Sequence, residues 1–247
     1  MRLTVINPNT TQAMTDGIAV AARAAASAGT EIVAVQPSSG PASIEGVYDG
    51  ALALPGVIEE VLRAEAAESD AHIIACFDDT GLDAARAAAV KPVIGIGEAA
   101  FHVASLVAHR FTVITTLARS VPVIERNLAA VGLAARCARV RASDIAVLAL
   151  DDPAGDARHR ISEMIAAALR DDGADGIVLG CAGMAGLAED LAMTHGVPVI
   201  EGVAAAVRLA EMLVGLRLAT SKRGLWASPL PKPYAGALAN FAPKANV

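Results

Sequence analysis

Apolar and polar positions alternate along the chain in blocks, with short apolar runs separated by longer, alanine-rich stretches of helical periodicity. The apolar runs predict eight strands, at residues 3–6, 31–35, 72–75, 92–94, 111–115, 138–140, 176–179 and 198–200. The stretches between them predict helices that include residues 11–27, 52–69, 99–108, 121–131, 158–171 and 203–214. Buried strands joined by helices are typical of parallel sheets covered on both faces, so the pattern predicts an α/β fold.

The block pattern occurs twice. Residues 70–76 match residues 175–181, residues 91–94 match 197–200, and residues 3–7 match 111–115. A period near one hundred residues is too long for a solenoid and predicts two similar lobes with parallel sheets, related by a pseudo-two-fold axis. We expect a first lobe over residues 1–105 and a second over 106–215, with helices at the lobe ends able to cross over.

Residues 216–247 form a separate C-terminal arm in this prediction. From residue 221 onward the arm carries four prolines together with Trp226, Tyr234 and Phe241. Proline at this density interrupts regular structure, whereas aromatic side chains favour burial. We expect an irregular arm that packs on its own or a neighbouring subunit and can cross onto the first lobe; disorder is the alternative.

Composition narrows the class of protein. Of the 247 residues 54% are apolar and only 3% are aromatic, which predicts a folded core of Ala, Val, Ile and Leu. The net charge of −6 disfavours nucleic acid as a partner. No run approaches ~18 apolar residues and no signal-peptide pattern opens the chain, so we expect no membrane span. Three cysteines do not make a disulfide framework, which favours the cytoplasm.

Two of the three cysteines occupy the same point of the repeat. Cys76 and Cys181 each follow a buried strand, where parallel α/β sheets bind their ligands. A nearby helix N-terminus favours the thiolate at such a position. Cys137 has no equivalent in the other lobe and is interpreted as structural. The repeat therefore predicts a functional pair, Cys76 and Cys181.

The turns after the two cysteines differ. Glycines flank Cys181, so the amides of Ala182 and Gly183 are free to donate to an oxygen with developing charge. Cys76 is followed by Phe77, Asp78 and Asp79, and carboxylates beside a thiol raise its pKa by charge repulsion. We expect one carboxylate, Asp79, to cap a helix and Asp78 to face a ligand.

Polar residues also follow the first strand of each lobe. Asn9 lies after one and Thr116 after the other, where they either cap helices or meet a ligand's carbonyl groups. The loop at residues 37–46 contains Ser43 and Ile44 and is rich in turn-forming residues. We interpret this loop as a lid or wall of the site, or as a simple connector.

Other ligand motifs are weak. Residues 95–98 resemble the dinucleotide fingerprint, but no acidic residue stands about twenty positions further on. The five histidines lack metal-ligand spacing, so no metal is expected.

The segments 6–10, 40–46, 76–79 and 179–184, taken together and in order, resemble those of the hydantoin racemases of the aspartate/glutamate racemase superfamily. The resemblance implies two Rossmann-like lobes, no cofactor, and a 5-substituted hydantoin bound between the lobes. It implies that Cys76 and Cys181 are the acid/base residues of a racemase. It places Asn9, Thr116 and the turn at 182–183 near the ring oxygens and nitrogens of the substrate.

Alternatives remain at this point. Allantoin is itself a 5-substituted hydantoin, so allantoin racemase is a close alternative. An amino-acid racemase would bind substrate carboxylates, which Asp78 and Asp79 disfavour. Decarboxylases of the superfamily keep only the second cysteine, so Cys76 favours racemisation. From a different class, a two-lobe binding protein or thiol sensor would use the cysteines as a reversible disulfide. A homo-oligomer is expected.

Overall fold

The computed structural model describes residues 1–150 and 155–243, and the last four residues of the predicted arm, 244–247, lie outside them. The first half contains β1 (Arg2–Ile6), α1 (Gln12–Ala25), β2 (Glu31–Val35), α2 (Val47–Ala66), β3 (Ala71–Ile74), α3 (Leu82–Ala88), β4 (Val93–Gly95) and α4 (Ile96–Val107). The second contains β5 (Phe111–Thr115), α5 (Val121–Ala130), β6 (Cys137–Ala142), α6 (Ala157–Asp171), β7 (Gly176–Gly180), α7 (Ala188–His195), β8 (Val199–Glu201) and α8 (Gly202–Gly215).

The strands form two parallel four-stranded sheets with the same topology. Their orders are β2-β1-β3-β4 and β6-β5-β7-β8, so every strand of the first sheet has a counterpart in the second. β1 pairs with β2 and β3, and β5 pairs with β6 and β7, in parallel register. The predicted α/β fold with two similar lobes is confirmed.

Element boundaries differ from the predictions where tertiary contacts determine them. α2 begins at residue 47 instead of 52, and an Asp49 Oδ2 in its first turn accepts the Glu45 N–H at 3.0 Å. α4 begins at residue 96 instead of 99, because a carboxylate from another loop caps it. Two further helices, α3 and α7, fill the connections after β3 and β7.

Two helices join the lobes. α4 follows the last strand of the first sheet and packs against β7 and β8 of the second, while α8 follows β8 and packs against β3 and β4. A single hydrophobic cluster consequently contains buried residues of both sheets, among them Val5, Ile73, Val113 and Val178. The core therefore does not divide where the sequence repeat divides.

Phe101 on α4 lies at the centre of this shared core. Its fully buried ring stacks on Phe111 of β5, with centroids 6.4 Å apart, and meets the edge of Phe77 at 5.4 Å. Phe77 directly follows Cys76, so the crossing helix contacts both the second sheet and the first cysteine loop.

The C-terminal arm docks on α3 before it extends over the surface. Lys222 Nζ donates to the carbonyls of Arg86 and Ala87 at 2.6 and 3.1 Å, at the C-terminal end of α3. Trp226 Nε1 donates to Asp83 at 2.9 Å, and the Arg86 guanidinium lies 4.9 Å from the Trp226 ring centroid. Beyond Trp226 the arm is mostly exposed.

We expect Lys222→Met to detach the arm at this point. A cation that donates to the last carbonyls of a helix stabilises it, so the free energy of unfolding should fall by about 1 kcal/mol. Thermal unfolding and limited proteolysis would measure the effect, with faster cleavage expected near residues 220–226. Lys232→Met, at an exposed position on the same arm, is the control; an equal effect of both changes would contradict the expectation.

Candidate active site

A small cavity of about 40 Å³ lies between the lobes at the carboxyl ends of β1, β3, β5 and β7. It has room for only a few water molecules. Its lining combines both predicted cysteines with polar and apolar side chains of both lobes: Asn9, Met14, Ile44, Ala75, Cys76, Phe77, Asp78, Thr115, Thr116, Ser120, Val147, Gly180, Cys181 and Ala182.

Cys76 lies in the loop between β3 and α3. Thr80 Oγ1 donates to its Sγ at 3.4 Å, and the Asp78 N–H also donates to it. Burial raises the pKa of the Cys76 thiol to about 12, and the charges of Asp78 and Cys181 add to the rise. The predicted direction is confirmed, although burial contributes more than the carboxylate. The second thiol is close enough for its charge to act on the first.

We expect Cys76 to alkylate slowly at neutral pH because few of its thiols are ionised. Labelling with iodoacetamide at about pH 7.5 should be about 100-fold slower than labelling of a model peptide cysteine. The rate should rise about tenfold per pH unit until the pH nears the pKa. Mass spectrometry of the Cys76 peptide would measure both. Labelling as fast as the model peptide would contradict the expectation.

Cys181 is the N-cap of a short 3-10 helix, Ala182–Leu187. The first bond of that helix runs from the Met184 N–H to the Cys181 carbonyl at 3.1 Å. The amides of Ala182 and Gly183 therefore precede the first intrahelical donor, as the ends of helices require. A Cβ placed on Gly183 would lie 3.8 Å from Cys181 Sγ, so this turn passes close to the thiol.

Asn9 is held in place by its neighbours. Its Oδ1 accepts from Asn7 Nδ2 at 3.0 Å and from the Thr11 N–H at 2.9 Å. Its Nδ2 meets only a weak acceptor in this arrangement, Met14 Sδ at 3.5 Å. The Nδ2 group of this buried side chain therefore lies at the cavity wall beside Met14, with a hydrogen available to a better acceptor.

Asp78 and Asp79 have different environments. Burial raises the pKa of Asp78 to about 6, against the effect of a Ser120 Oγ hydrogen bond of 3.4 Å, so this carboxyl group is mostly ionised at neutral pH. Asp79 accepts the N–H groups of Gly97 and Glu98 at 2.9 and 2.8 Å, and burial raises its pKa as well. The prediction that Asp79 caps a helix is confirmed, and the helix is α4.

The glycines of the weak dinucleotide motif have a structural explanation. A Cβ on Gly95 would lie 2.1 Å from Asp79 Oδ1, and one on Gly97 would lie 2.4 Å from the Phe77 carbonyl oxygen. The N-terminus of α4 therefore already holds a carboxylate of the protein, which agrees with the rejection of a dinucleotide site.

The loop at residues 37–46 reaches from the first lobe to the second. Glu45 Oε1 accepts the Val147 N–H at 3.1 Å, and the Glu45 carbonyl accepts from Arg119 Nη1 at 3.3 Å. Ile44 and Val147 both line the cavity. The loop therefore forms a wall of the cavity, the first of the two interpretations proposed for it.

Eight of the ten predicted site residues line this cavity. Ser43 and Gly183 are the two that do not line it: Ser43 precedes the wall residue Ile44, and a Cβ placed on Gly183 would lie 3.1 Å from Leu150 Cδ1. Sequence reasoning missed six lining residues: Ala75, Thr115 and Gly180, which lie within the matched repeat segments, and Met14, Ser120 and Val147. The last three come from segments without a repeat partner or a turn motif, so only their position in the fold reveals them.

A larger, open hollow of about 940 Å³ lies on the other side of the Cys76 loop and shares Asp78 with the cavity. Leu54, Arg86, Arg126 and Trp226 are among its lining residues. Neither Cys76 nor Cys181 lines it. Because both thiols face the smaller cavity, we place the chemistry there despite its size.

Residues 3–210 match the family described as Asp/Glu/Hydantoin racemase. The chain belongs to this family. Among its relatives, a hydantoin racemase of Rhizobium meliloti is 47% identical over 236 residues, which cover 96% of this chain and 98% of the relative. This member of the Asp/Glu/Hydantoin racemase family is therefore an enzyme, an isomerase of the racemase class.

Two solved structures are similar to this chain. Allantoin racemase from Klebsiella pneumoniae superposes with a TM-score of 0.96 at 48% identity, over 99% of this chain and 100% of that one. Unliganded arylmalonate decarboxylase superposes with a TM-score of 0.59 at 18% identity, over 87% of this chain and 92% of that one. The second likeness shows that the two-lobe fold is shared beyond the close relatives.

The described residues contain neither a metal-binding cluster nor a membrane-spanning helix. Across residues 1–150 and 155–243, no cluster of three His, Cys, Asp or Glu side chains is arranged to hold a metal ion. Within the same ranges, every helix is too short or too polar to span a bilayer.

Proposed function

We propose that this racemase inverts C5 of 5-substituted hydantoins, with Cys76 and Cys181 as paired acid and base and without a cofactor. The observation that carries the proposal is that both thiols line one cavity between the lobes, one from each lobe. Inversion at a carbon next to a carbonyl removes a proton from one face and returns a proton to the other. Two thiols on opposite sides can do this without turning the substrate over.

The raised pKa of Cys76 determines the role that we assign to this thiol in the resting state. Because burial raises the pKa of Cys76 to about 12, this thiol is protonated at neutral pH and serves as the first acid. Cys181 then serves as the base for one enantiomer. After that turnover Cys76 is the thiolate and Cys181 the thiol, which is the form that converts the other enantiomer back.

Removal of the C5 proton forms an enolate, whose oxygen needs hydrogen-bond donors. The amides that begin the 3-10 helix after Cys181 supply them, together with Asn9 Nδ2 and Thr116 of the cavity wall. The ring N–H groups need acceptors, and the carboxylate of Asp78 is placed to accept one. Ile44 and Phe77 form apolar parts of the wall, and Ser43 precedes Ile44 in the same loop.

A racemisation assay in deuterium oxide tests this proposal. One enantiomer of 5-benzylhydantoin is incubated with the full chain, and optical rotation and C5 deuteration are followed together. We expect the rotation to decay to zero with one deuterium appearing at C5 per inversion. Constant rotation would contradict a hydantoin substrate, and rotation that decays without deuterium would contradict proton transfer.

Allantoin is the second candidate substrate. The observation in its favour is the close superposition on allantoin racemase from Klebsiella pneumoniae. The polar groups in the cavity wall, Asn9, Asp78 and Ser120, would suit a ureido substituent. The same assay with one enantiomer of allantoin compares kcat/KM for the two substrates.

If neither substrate is racemised while a ligand still binds, the thiol-sensor alternative gains support. Titration of the thiols after mild oxidation would test it.

We also propose a homo-oligomer in the cytoplasm. The arm beyond Trp226 exposes an apolar side chain between two prolines, with Leu230 77% exposed between Pro229 and Pro231. An exposed leucine next to prolines suits an interface with another copy. The three cysteines are thiols, which suits a reducing compartment. Light scattering of the full chain and of a chain that ends at residue 226 would test the assembly; a full-length monomer would contradict it.

A further inference from the structure

Both lobes place a carboxylate at the N-terminus of the helix that crosses over. In the second lobe Glu201, the last residue of β8, accepts the N–H groups of Val203 and Ala204 at 2.7 and 2.6 Å. In the first lobe α4 is capped in the same way, by two consecutive amides that donate to one carboxylate. That carboxylate belongs to Asp79, which lies sixteen residues before the strand end at Gly95.

Gly95 occupies the position that Glu201 has in the repeat. β4 and β8 are both three-residue strands that follow a proline, and the final residue of each has extended backbone angles. A Cβ at position 95 would lie 2.1 Å from Asp79 Oδ1. The two arrangements therefore exclude each other: the first lobe has no carboxylate at the strand end and receives one from a loop.

The loop that supplies this carboxylate carries Cys76. The Asp79 N–H donates to the Cys76 carbonyl at 3.0 Å, and Thr80 Oγ1 donates to Cys76 Sγ at 3.4 Å. Asp79 has a φ of 50°, in the left-handed region that side chains other than glycine seldom adopt. Such strain persists where surrounding contacts enforce it. Here the contacts are the two hydrogen bonds that backbone N–H groups of α4 donate to the Asp79 side chain.

Capping alone does not require this arrangement. Glu201 shows that the strand-end residue can cap the crossing helix by itself, without strain and without a second loop. What the Asp79 arrangement adds is a connection between the rigid crossing helix and the Cys76 loop. The Cys181 turn has no such connection to α8 through a helix cap.

We propose that Asp79 is a positioning residue that fixes the Cys76 thiol opposite Cys181 by binding the Cys76 loop to the N-terminus of α4. The proposal rests on the two-thiol mechanism proposed above. A thiol that must meet C5 from a defined face loses rate when its loop shifts, since misplacement of about 1 Å can cost on the order of 100-fold. Asp79 acts through Cys76 and does not touch the substrate.

Moving the capping carboxylate from position 79 to position 95 distinguishes a role of Asp79 in positioning Cys76 from a role in stability. Asp79→Gly removes the carboxylate and accepts the positive φ, while Asp79→Gly with Gly95→Glu returns a carboxylate to α4 in the manner of the second lobe. We expect the single change to lower both Tm and kcat, and the double change to recover Tm while kcat stays at least about tenfold below the unsubstituted chain. KM should change less than kcat. Glu201→Gln, the matched cap of the other lobe, should lower Tm and leave the Cys76 loop unchanged.

The rate of iodoacetamide labelling at Cys76 gives a readout that does not depend on turnover. We expect faster labelling, by about tenfold, in both Asp79 variants, and an unchanged rate in Glu201→Gln. Recovery of both Tm and kcat in the double variant would overturn the proposal, because Asp79 would then be a cap only. A double variant as unstable as the single one would overturn the equivalence of the two caps. If the unsubstituted chain does not racemise hydantoins or allantoin, the proposed function fails, and the labelling rates still decide the role of Asp79.

Discussion

Cys76→Ser and Cys181→Ser are each expected to lower the racemisation rate by about 10²- to 10⁴-fold. A serine hydroxyl is a far weaker acid than a thiol, so it neither gives up nor takes a proton at the required rate. Each variant loses one of the two proton transfers, and racemisation needs both. Polarimetry with each enantiomer as the starting substrate would measure the loss.

Cys137→Ser is the matched control for these changes. Cys137 is a thiol with a pKa raised by burial, to about 11, but it lies at the start of β6 away from the cavity. We expect its substitution to leave the racemisation rate within about twofold. Equal losses in all three variants would indicate a general effect of thiol replacement, and full activity of Cys76→Ser would contradict the two-thiol mechanism.

Phe101→Ala is expected to cause the largest loss of stability. Its ring is fully buried between Phe77 and Phe111, so truncation leaves a cavity in the core shared by the lobes. Such a change costs about 3–5 kcal/mol, or roughly 6–20 °C in Tm for a chain of this size. Thermal unfolding would measure it. Because Phe77 follows Cys76, kcat should also fall at temperatures where the variant remains folded.

Leu106→Ala on the same helix is the control for Phe101. Leu106 is 81% exposed on α4, so the change preserves helix propensity and removes no core contact. We expect its Tm to stay within about 2 °C of the unsubstituted chain. A loss at Phe101 no larger than that at Leu106 would show that the aromatic contact does not join the lobes.

The α/β architecture was accessible from the sequence because its inner strands, β1, β3, β5 and β7, are buried on both faces. Such strands are continuous apolar runs, and all eight predicted runs form strands. The repeat likewise predicted two similar lobes, and the two sheets have matching strand orders. The exact start of α4 was not accessible, since it depends on Asp79, a residue of another loop. Local sequence around residue 96 contains no capping side chain that could show it.

The candidate site was accessible to the extent that it lies at strand ends within the repeat. Cys76, Cys181, Asn9 and Thr116 all follow strands of the two sheets, and all line the cavity. Ser120 and Val147 contribute through segments that approach the cavity only after the lobes pack together. The sequence predicted that helices at the lobe ends can cross over, but it did not identify α4 and α8 as the helices that do. The amphipathic pattern of a helix does not specify which sheet it covers.

The exchange of the two crossing helices also determines how a ligand can enter. α4 begins in contact with α8: a Cβ on Gly202 would lie 2.5 Å from the Ile96 carbonyl oxygen. Separating the lobes as two rigid halves would pull both helices out of a common core. A hinge motion of two rigid halves, of the kind seen in two-domain binding proteins, would therefore disrupt this core. The hydrogen bond between Glu45 Oε1 and the Val147 amide joins the two lobes at the cavity wall, so a ligand path through that wall requires this bond to break.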